Sequence, residues 1–156
     1  MGCGKTTIGK LISKKISLNF IDTDLYIESK MNMSINEIFD RLGEPYFRIL
    51  ENDVAKNLLN FIPSVVSIGG GMLENHNNIS ILKNTGKLIF LNASISNIKE
   101  RLKYDSSRPL IKDKKKLEYL YNSRLETYKN AADITVCADD SLYNICTNIL
   151  NLINNI

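Results

Sequence analysis

The feature that most constrains this chain is the recurrence of short apolar segments between longer amphipathic ones. SVVSI (64–68) and KLIFL (87–91) carry apolar residues with no polar alternation. A strand wetted on one face alternates, whereas an unbroken apolar run marks a strand covered on both faces, as in a parallel sheet flanked by helices. NFID (19–22) and DITVC (133–137) add two further strand candidates. Helical spacing of apolar residues predicts helices over 4–17, 24–31, 34–42, 45–60, 94–103, 114–130 and 141–154, the last with Leu142, Ile145, Ile149 and Leu152 on one face. Ser34 and Glu37 form a capping-box pattern, and Gly43 with Pro45 marks a helix break. The segment 104–113, YDSSRPLIKD, is polar, contains Pro109 and reads as a loop. The alternation implies an α/β fold of three layers, with a central parallel sheet and helices on both faces.

A chain of 156 residues suits a single domain, 1–156, and is too short for two cores of usual size. Hydrophobic residues make up 44% and charged residues 24%, and the net charge of +3 is too mild to argue for nucleic acid or an anionic membrane as partner. No apolar run approaches the roughly 18–20 residues that span a bilayer, and MGCGKTTIGK lacks the apolar core of a secretory signal. Three cysteines without a CxxC pair and a single histidine, His76, argue against a zinc site or a disulfide framework. A reducing cytoplasm and a monomer are the expectations. His76 is expected in a surface turn, without a catalytic role.

Lysines outnumber arginines by 15 to 5, so each arginine raises the question of what lysine could not do there. Lysine lacks the planar fork that grips a carboxylate or phosphate through two bonds, and it stacks less well on flat rings. The five are Arg41, Arg48, Arg101, Arg108 and Arg124.

Gly2-Cys3-Gly4-Lys5-Thr6-Thr7 opens the first helix and reproduces the back half of the phosphate-loop pattern GxxxxGK[ST]. Glycines let the backbone wrap a phosphate chain, and the helix N-terminus offers free N–H donors and a positive partial charge. In that pattern Lys5 bridges the β- and γ-phosphates of ATP and the Thr6 hydroxyl ligates Mg²⁺. The first glycine of the pattern and the apolar strand before it are not in the sequence, which starts with Met1 at the pattern's third position. The expectation is therefore a chain of low stability, or one with a gap between the SVVSI and KLIFL strands, that binds ATP weakly.

Asp22-Thr23-Asp24 follows the second strand at its carboxyl end, where open α/β sheets bind ligands. Asp22 can hold Mg²⁺ through water, and Asp24 can accept a proton from an acceptor hydroxyl. The same residues also suit a helix N-cap with an acidic first turn. In FRILE (47–51), Arg48 and Glu51 share a helix face, as a surface ion pair or as a carboxylate orienting an arginine towards a substrate carboxylate. Gly69-Gly70-Gly71 directly follows a strand and would allow close approach of a substrate to the backbone. Arg108 lies in the 104–113 loop, where an arginine can close over a γ-phosphate. Arg101 can stack on adenine, and Arg124 sits mid-helix.

In order and spacing, GCGKTT (2–7), DTD (22–24), FRILE (47–51), GGG (69–71), RPLI (108–111) and RLETYKNAAD (124–133) resemble shikimate kinase across almost the whole chain. The resemblance implies a P-loop kinase fold with a five-stranded parallel sheet, a substrate-binding helical segment at about 24–60 and a lid at about 104–113. It implies ATP- and Mg²⁺-dependent phosphorylation of the shikimate 3-hydroxyl, in the pathway to chorismate and the aromatic amino acids. By motif match, Asp24, Arg48, Gly70 and Arg124 look like shikimate contacts, with Gly69 and Gly71 beside them, and Arg101 and Arg108 like the nucleotide and lid arginines. Two other readings stay open on the residues alone. One is a gluconate-type P-loop kinase, whose acceptor also carries a carboxylate and a hydroxyl. The other is a non-catalytic binding protein.

Overall fold

A computed structural model describes residues 2–60, 62–103 and 114–154. The predicted 104–113 loop, with Arg108, lies outside the described residues. The chain forms two compact units, residues 9–86 and residues 1–8 with 87–156, and helix α1 (Lys5–Lys15) is divided between them after Ile8.

In the 9–86 unit, strands β1 (Asn19–Asp22) and β2 (Ser64–Ser67) pair in parallel, with Asn19 opposite Ser64 and Asp22 opposite Ser67. That register brings the carboxyl ends of both strands level, so the Thr23-Asp24 and Gly69-Gly70-Gly71 segments leave from the same end. Helix α2 (Thr23–Met31) starts at once, because the Asp22 carboxylate accepts from the backbone N–H groups of Asp24 (3.1 Å) and Leu25 (3.5 Å). Helix α3 (Ile35–Leu42) carries the complete Ser34–Glu37 capping box. Gly43, at φ +81°, turns the chain into α4 (Glu44–Asn57), which has Pro45 in its first turn, as the sequence predicts. Ile27, Ile38, Phe47, Val54, Ala55, Met72 and Leu82 fill the interior, with Phe39 and Phe47 edge to face at 5.0 Å.

One element of this unit is not predicted. Helix α5 (His76–Thr85) runs where His76 was expected in a turn. Its segment, HNNISILKNT, has only three apolar residues, too few for a clear stripe. The helix is instead started by the Asn75 side chain, which accepts from Asn77 N–H. His76 is exposed at its first position.

In the other unit, β3 (Ile89–Asn92) and β4 (Ile134–Cys137) also pair in parallel, Ile89 opposite Ile134 and Asn92 opposite Cys137. Helices α6 (Ile95–Leu102), α7 (Lys114–Ala131) and α8 (Leu142–Asn154) complete it. Ile98, Leu117, Ala131, Val136, Ala138, Ile145, Cys146 and Ile149 are buried. The predicted apolar face of α8 is buried only in its middle, and Leu142 and Leu152 are exposed.

The described strands form two parallel pairs, β1 with β2 and β3 with β4, short parallel strands of the predicted α/β class. β4 alternates buried and exposed residues, and β1, β2 and β3 are mostly half-buried. Among the described residues, each strand pairs with one neighbour. No described helix is long and apolar enough to cross a membrane.

Candidate active site

The acceptor-side residues converge at the level ends of β1 and β2. Thr23, fully buried, accepts through Oγ1 from the Gly69 N–H at 2.9 Å and ties the two loops together. A Cβ built on Gly69 would stand 2.6 Å from Asp24 Oδ1 and 2.9 Å from Glu51 Oε1, so only glycine lets the backbone pass between these carboxylates. A Cβ on Gly71 would overlap the Arg48 guanidinium, 2.6 Å from its Cζ. Neither residue has positive φ. The glycines here answer crowding by charged side chains, while the turn itself would tolerate other residues. Gly70 lies between them. The structure therefore brings together Asp24, Arg48, Gly69, Gly70 and Gly71, the expected acceptor contacts of this unit.

Arg48 is the hub of an acidic cluster. Its Nη1 donates to Glu51 Oε2 at 2.6 Å and its Nη2 to Glu44 Oε1 at 2.5 Å, with Glu74 Oε2 at 3.9 Å. Burial works against the guanidinium charge, but Glu51 and Glu44 outweigh it and hold its pKa above the ordinary arginine value. Glu51 is 2% exposed. Burial pushes its carboxyl up, against the pull of Arg48, and the neighbouring charges of Asp24 and Glu74 push the same way. Glu51 is thus a buried anchor for Arg48, and Arg48 itself stays 30% exposed. Glu44 and Glu74 were not singled out from the sequence. Glu44 was recognisable as an i,i+4 partner of Arg48, but Glu74 reaches it only through the tertiary fold.

On the phosphate side, Gly2 and Gly4 take positive φ, +67° and +92°, and α1 begins at Lys5 with Ile8 N–H donating to Gly4 O at 2.9 Å. A Cβ on Gly2 would press on Leu102 Cγ at 3.0 Å and Ile98 Cγ2 at 3.1 Å, so this glycine is favoured first by its positive φ and then by the tight space. Lys5 and Thr6 are half-buried in the first turn and Thr7 is exposed. Cys3, predicted as part of the loop, is buried and free.

Arg101 sits beside this loop. Its Nη1 donates to the Cys3 carbonyl at 3.1 Å and its Nη2 to the Ala138 carbonyl at 2.7 Å. One guanidinium thus ties the loop to the segment after β4, a two-pronged task that an ammonium performs poorly. Arg101 borders a cavity of about 260 Å³ whose other walls are Cys3, Gly4, Thr7 and Ile8 on one side and Asp140, Leu142 and Ile145 on the other. The last three were missed as site residues. Leu142 and Ile145 belong to the apolar face read for the last helix, and the exposure of Leu142 appears only in the structure. Arg124 is half-buried in α7, in this same unit. Asp22 serves as the α2 cap. The phosphate-side and acceptor-side groups belong to different units.

A family model described as shikimate kinase matches residues 1–154. The chain belongs to the shikimate kinase family. The shikimate kinase of Macrococcus caseolyticus is 41% identical over 155 residues, covering 98% of this chain and 92% of the relative. Among solved structures, shikimate kinase from Acinetobacter baumannii in complex with shikimate is 30% identical with a TM-score of 0.93, over 99% of this chain and 89% of that one. A gluconokinase from Sinorhizobium meliloti is 16% identical with a TM-score of 0.56, a likeness of fold alone. Membership of the shikimate kinase family makes the chain a kinase with the α/β P-loop kinase fold. It also disfavours the gluconate-type and non-catalytic readings that the residues alone left open.

Proposed function

We propose that the chain transfers the γ-phosphoryl group of ATP to the 3-hydroxyl of shikimate, giving shikimate 3-phosphate and ADP on the route to chorismate and the aromatic amino acids. The observation that carries this reading is the Arg48 guanidinium, fixed by buried Glu51 and seated on Gly71 beside Asp24, in a chain of this family. A guanidinium bonded through Nη1 to Glu51 and through Nη2 to Glu44 keeps a rigid orientation, and its exposed part is suited to a substrate carboxylate. Asp24 accepts the proton of the acceptor hydroxyl as the new O–P bond forms and the bond to the ADP oxygen breaks. Gly69, Gly70 and Gly71 let the acceptor ring approach the backbone, and Arg124 is assigned to the same substrate.

On the donor side, the Gly2–Thr7 backbone cradles the phosphates, Lys5 neutralises charge at the β/γ bridge, and Arg101 with its cavity takes the base. Arg108, outside the described residues, is assigned to the transferring phosphate by motif match. The donor chemistry of Thr6 and Asp22, a hydroxyl and a carboxylate oxygen, suits Mg²⁺, a hard cation that prefers oxygen ligands. Mg²⁺ would be held by Thr6 directly and by Asp22 through water, and it would supply charge neutralisation on the phosphates. A cytoplasmic monomer fits three free cysteines and a small net charge.

The test is coupled ADP release with ATP and either shikimate or gluconate. Release with shikimate at least about a hundredfold faster than with gluconate is expected, well within the roughly 10⁴-fold or more reached by a site that leaves polar groups unpaired with the wrong substrate. Comparable rates with both would overturn the acceptor assignment.

A further inference from the structure

The Gly69–Met72 segment is held at both ends by buried polar side chains. At its start the Gly69 N–H donates to Thr23 Oγ1. At its end the Met72 carbonyl accepts from Asn78 Nδ2 at 2.9 Å. Asn78 is 1% exposed, and its Oδ1 accepts from Asn52 Nδ2 at 2.7 Å. Asn52 follows Glu51 directly on α4. A single side-chain amide therefore connects the helix that bears Arg48 and Glu51 to the loop that those two residues face. Both partners of the Asn78 side chain, an amide and a main-chain carbonyl, are uncharged, and the Asn78 backbone N–H is already bonded to Asn75 O.

The geometry points to Asn78, with Asn52 behind it, as the positioning residue of the acceptor site: it sets the separation between Arg48–Glu51 and the triple-glycine loop. This rests on the acceptor site proposed above. The separation matters because there is no slack in it. Gly69 and Gly71 already lie so close to Glu51, Asp24 and Arg48 that a methyl group would not fit. A shift of the loop by a fraction of an ångström changes where the guanidinium rests, and misplacement on that scale is costly to binding and rate. An amide suits the position because it donates towards Met72 and accepts from Asn52 at once. Leucine offers neither bond, and an ionised aspartate would set its oxygen against the Met72 carbonyl.

That difference gives the test. In Asn78→Asp, the protonated acid can donate to Met72 and mimic the amide, whereas the ionised form cannot. Burial raises the pKa of such a group, so the amide-like form returns as pH falls. Shikimate Kd is measured by calorimetry on the full chain, wild type and Asn78→Asp, at about pH 8.5 and about pH 6, a range in which a shifted carboxyl titrates. Glu51 and Glu74 are the same in both proteins, so the ratio of the two Kd values isolates position 78. The ratio should be about tenfold or more at the higher pH, the size of one buried bond lost and one repulsion gained, and fall towards one at the lower pH. A ratio that does not change with pH, whether large or small, would overturn the positioning role. If Asn78→Asp does not fold, Asn52→Ala decides: a severalfold weaker shikimate Kd with an unchanged ATP Kd supports the role, and unchanged shikimate binding removes it. Wild type that binds no shikimate at either pH would instead sink the acceptor site itself.

Discussion

Arg48 and Arg101 do opposite jobs with the same guanidinium. Arg48 is paired with side-chain carboxylates, Glu51, Glu44 and, more distantly, Glu74. Arg101 is bonded to two backbone carbonyls, of Cys3 and Ala138. The first arrangement is charged, partly buried and titratable. The second fixes the course of the main chain, beside glycines whose φ values other residues rarely adopt. The difference teaches what each region is built to recognise. A charged acceptor must be met by an oriented charge, whereas a phosphate chain is met by main-chain N–H groups, so the side chains there shape the backbone. The acceptor region should therefore be sensitive to small steric and charge changes, and the phosphate region to changes in loop geometry and at the Lys5 cation.

The largest effect should come from that cation. Lys5→Ala should lower kcat by roughly 10² to 10³ or more, the usual loss for one preorganised charge at a transferring phosphate. ADP release measures it, and a variant within tenfold of wild type would remove Lys5 from the chemistry.

Next comes crowding in the acceptor region. Gly71→Ala places a methyl group in the Arg48 guanidinium, so shikimate KM should rise about tenfold and the fold should lose about 1–3 kcal/mol. Gly86→Ala is the control, because its backbone is extended and nothing lies within 4 Å of the added carbon. Equal effects in the two variants would mean that the triple glycine is an ordinary turn.

Arg101→Lys tests the other half of the comparison. Losing one of two carbonyl bonds should weaken ATP binding about fivefold, about 1 kcal/mol, and leave shikimate affinity unchanged. The thermal shift produced by ATP or by shikimate alone reads both. A loss of shikimate affinity instead would break the division of labour.

Much of this architecture is legible in the sequence because it is local. Helix limits follow from apolar spacing, and the α3 cap follows from Ser34 and Glu37. Arg48 and Glu51 meet because they are three residues apart on one helix. What stays hidden depends on the tertiary fold. Strand pairing is non-local, so the registers of the two pairs could not be read from SVVSI or KLIFL. The reason for Gly69 and Gly71 appears only when Asp24, Glu51 and Arg48 are seen around them. Asn78 lies in an asparagine-rich stretch without periodicity, where nothing marks it as the residue that reaches Asn52. Arg101 is marked as unusual by its rarity, but its two carbonyl partners lie 98 and 37 residues away.

The smallest effect concerns pH. The Glu51 pKa is raised in the folded protein, chiefly by burial. The folded state therefore holds this proton more tightly than the unfolded chain, and the group's contribution to stability falls as pH rises from the ordinary carboxylate range, near 4.3, to its raised value. Glu51→Gln removes that titration. The stability of wild type minus that of the variant, measured by denaturant unfolding across this range, should decrease with rising pH. An increase would mean that pairing with Arg48 dominates over burial.

The division between a charge-built acceptor region and a backbone-built phosphate region is tested most directly by Arg48→Lys. Lysine keeps the charge and loses the planar fork that Glu51 and Glu44 hold in place. Steady-state ADP release, with each substrate varied in turn, gives two KM values. Shikimate KM should rise by about tenfold or more, the loss of a charged bidentate contact, while ATP KM changes less than about twofold, within the range expected for a surface substitution. Equal changes in both, or none in either, would show that Arg48 is only a member of an ion-pair cluster and that the acceptor is recognised elsewhere.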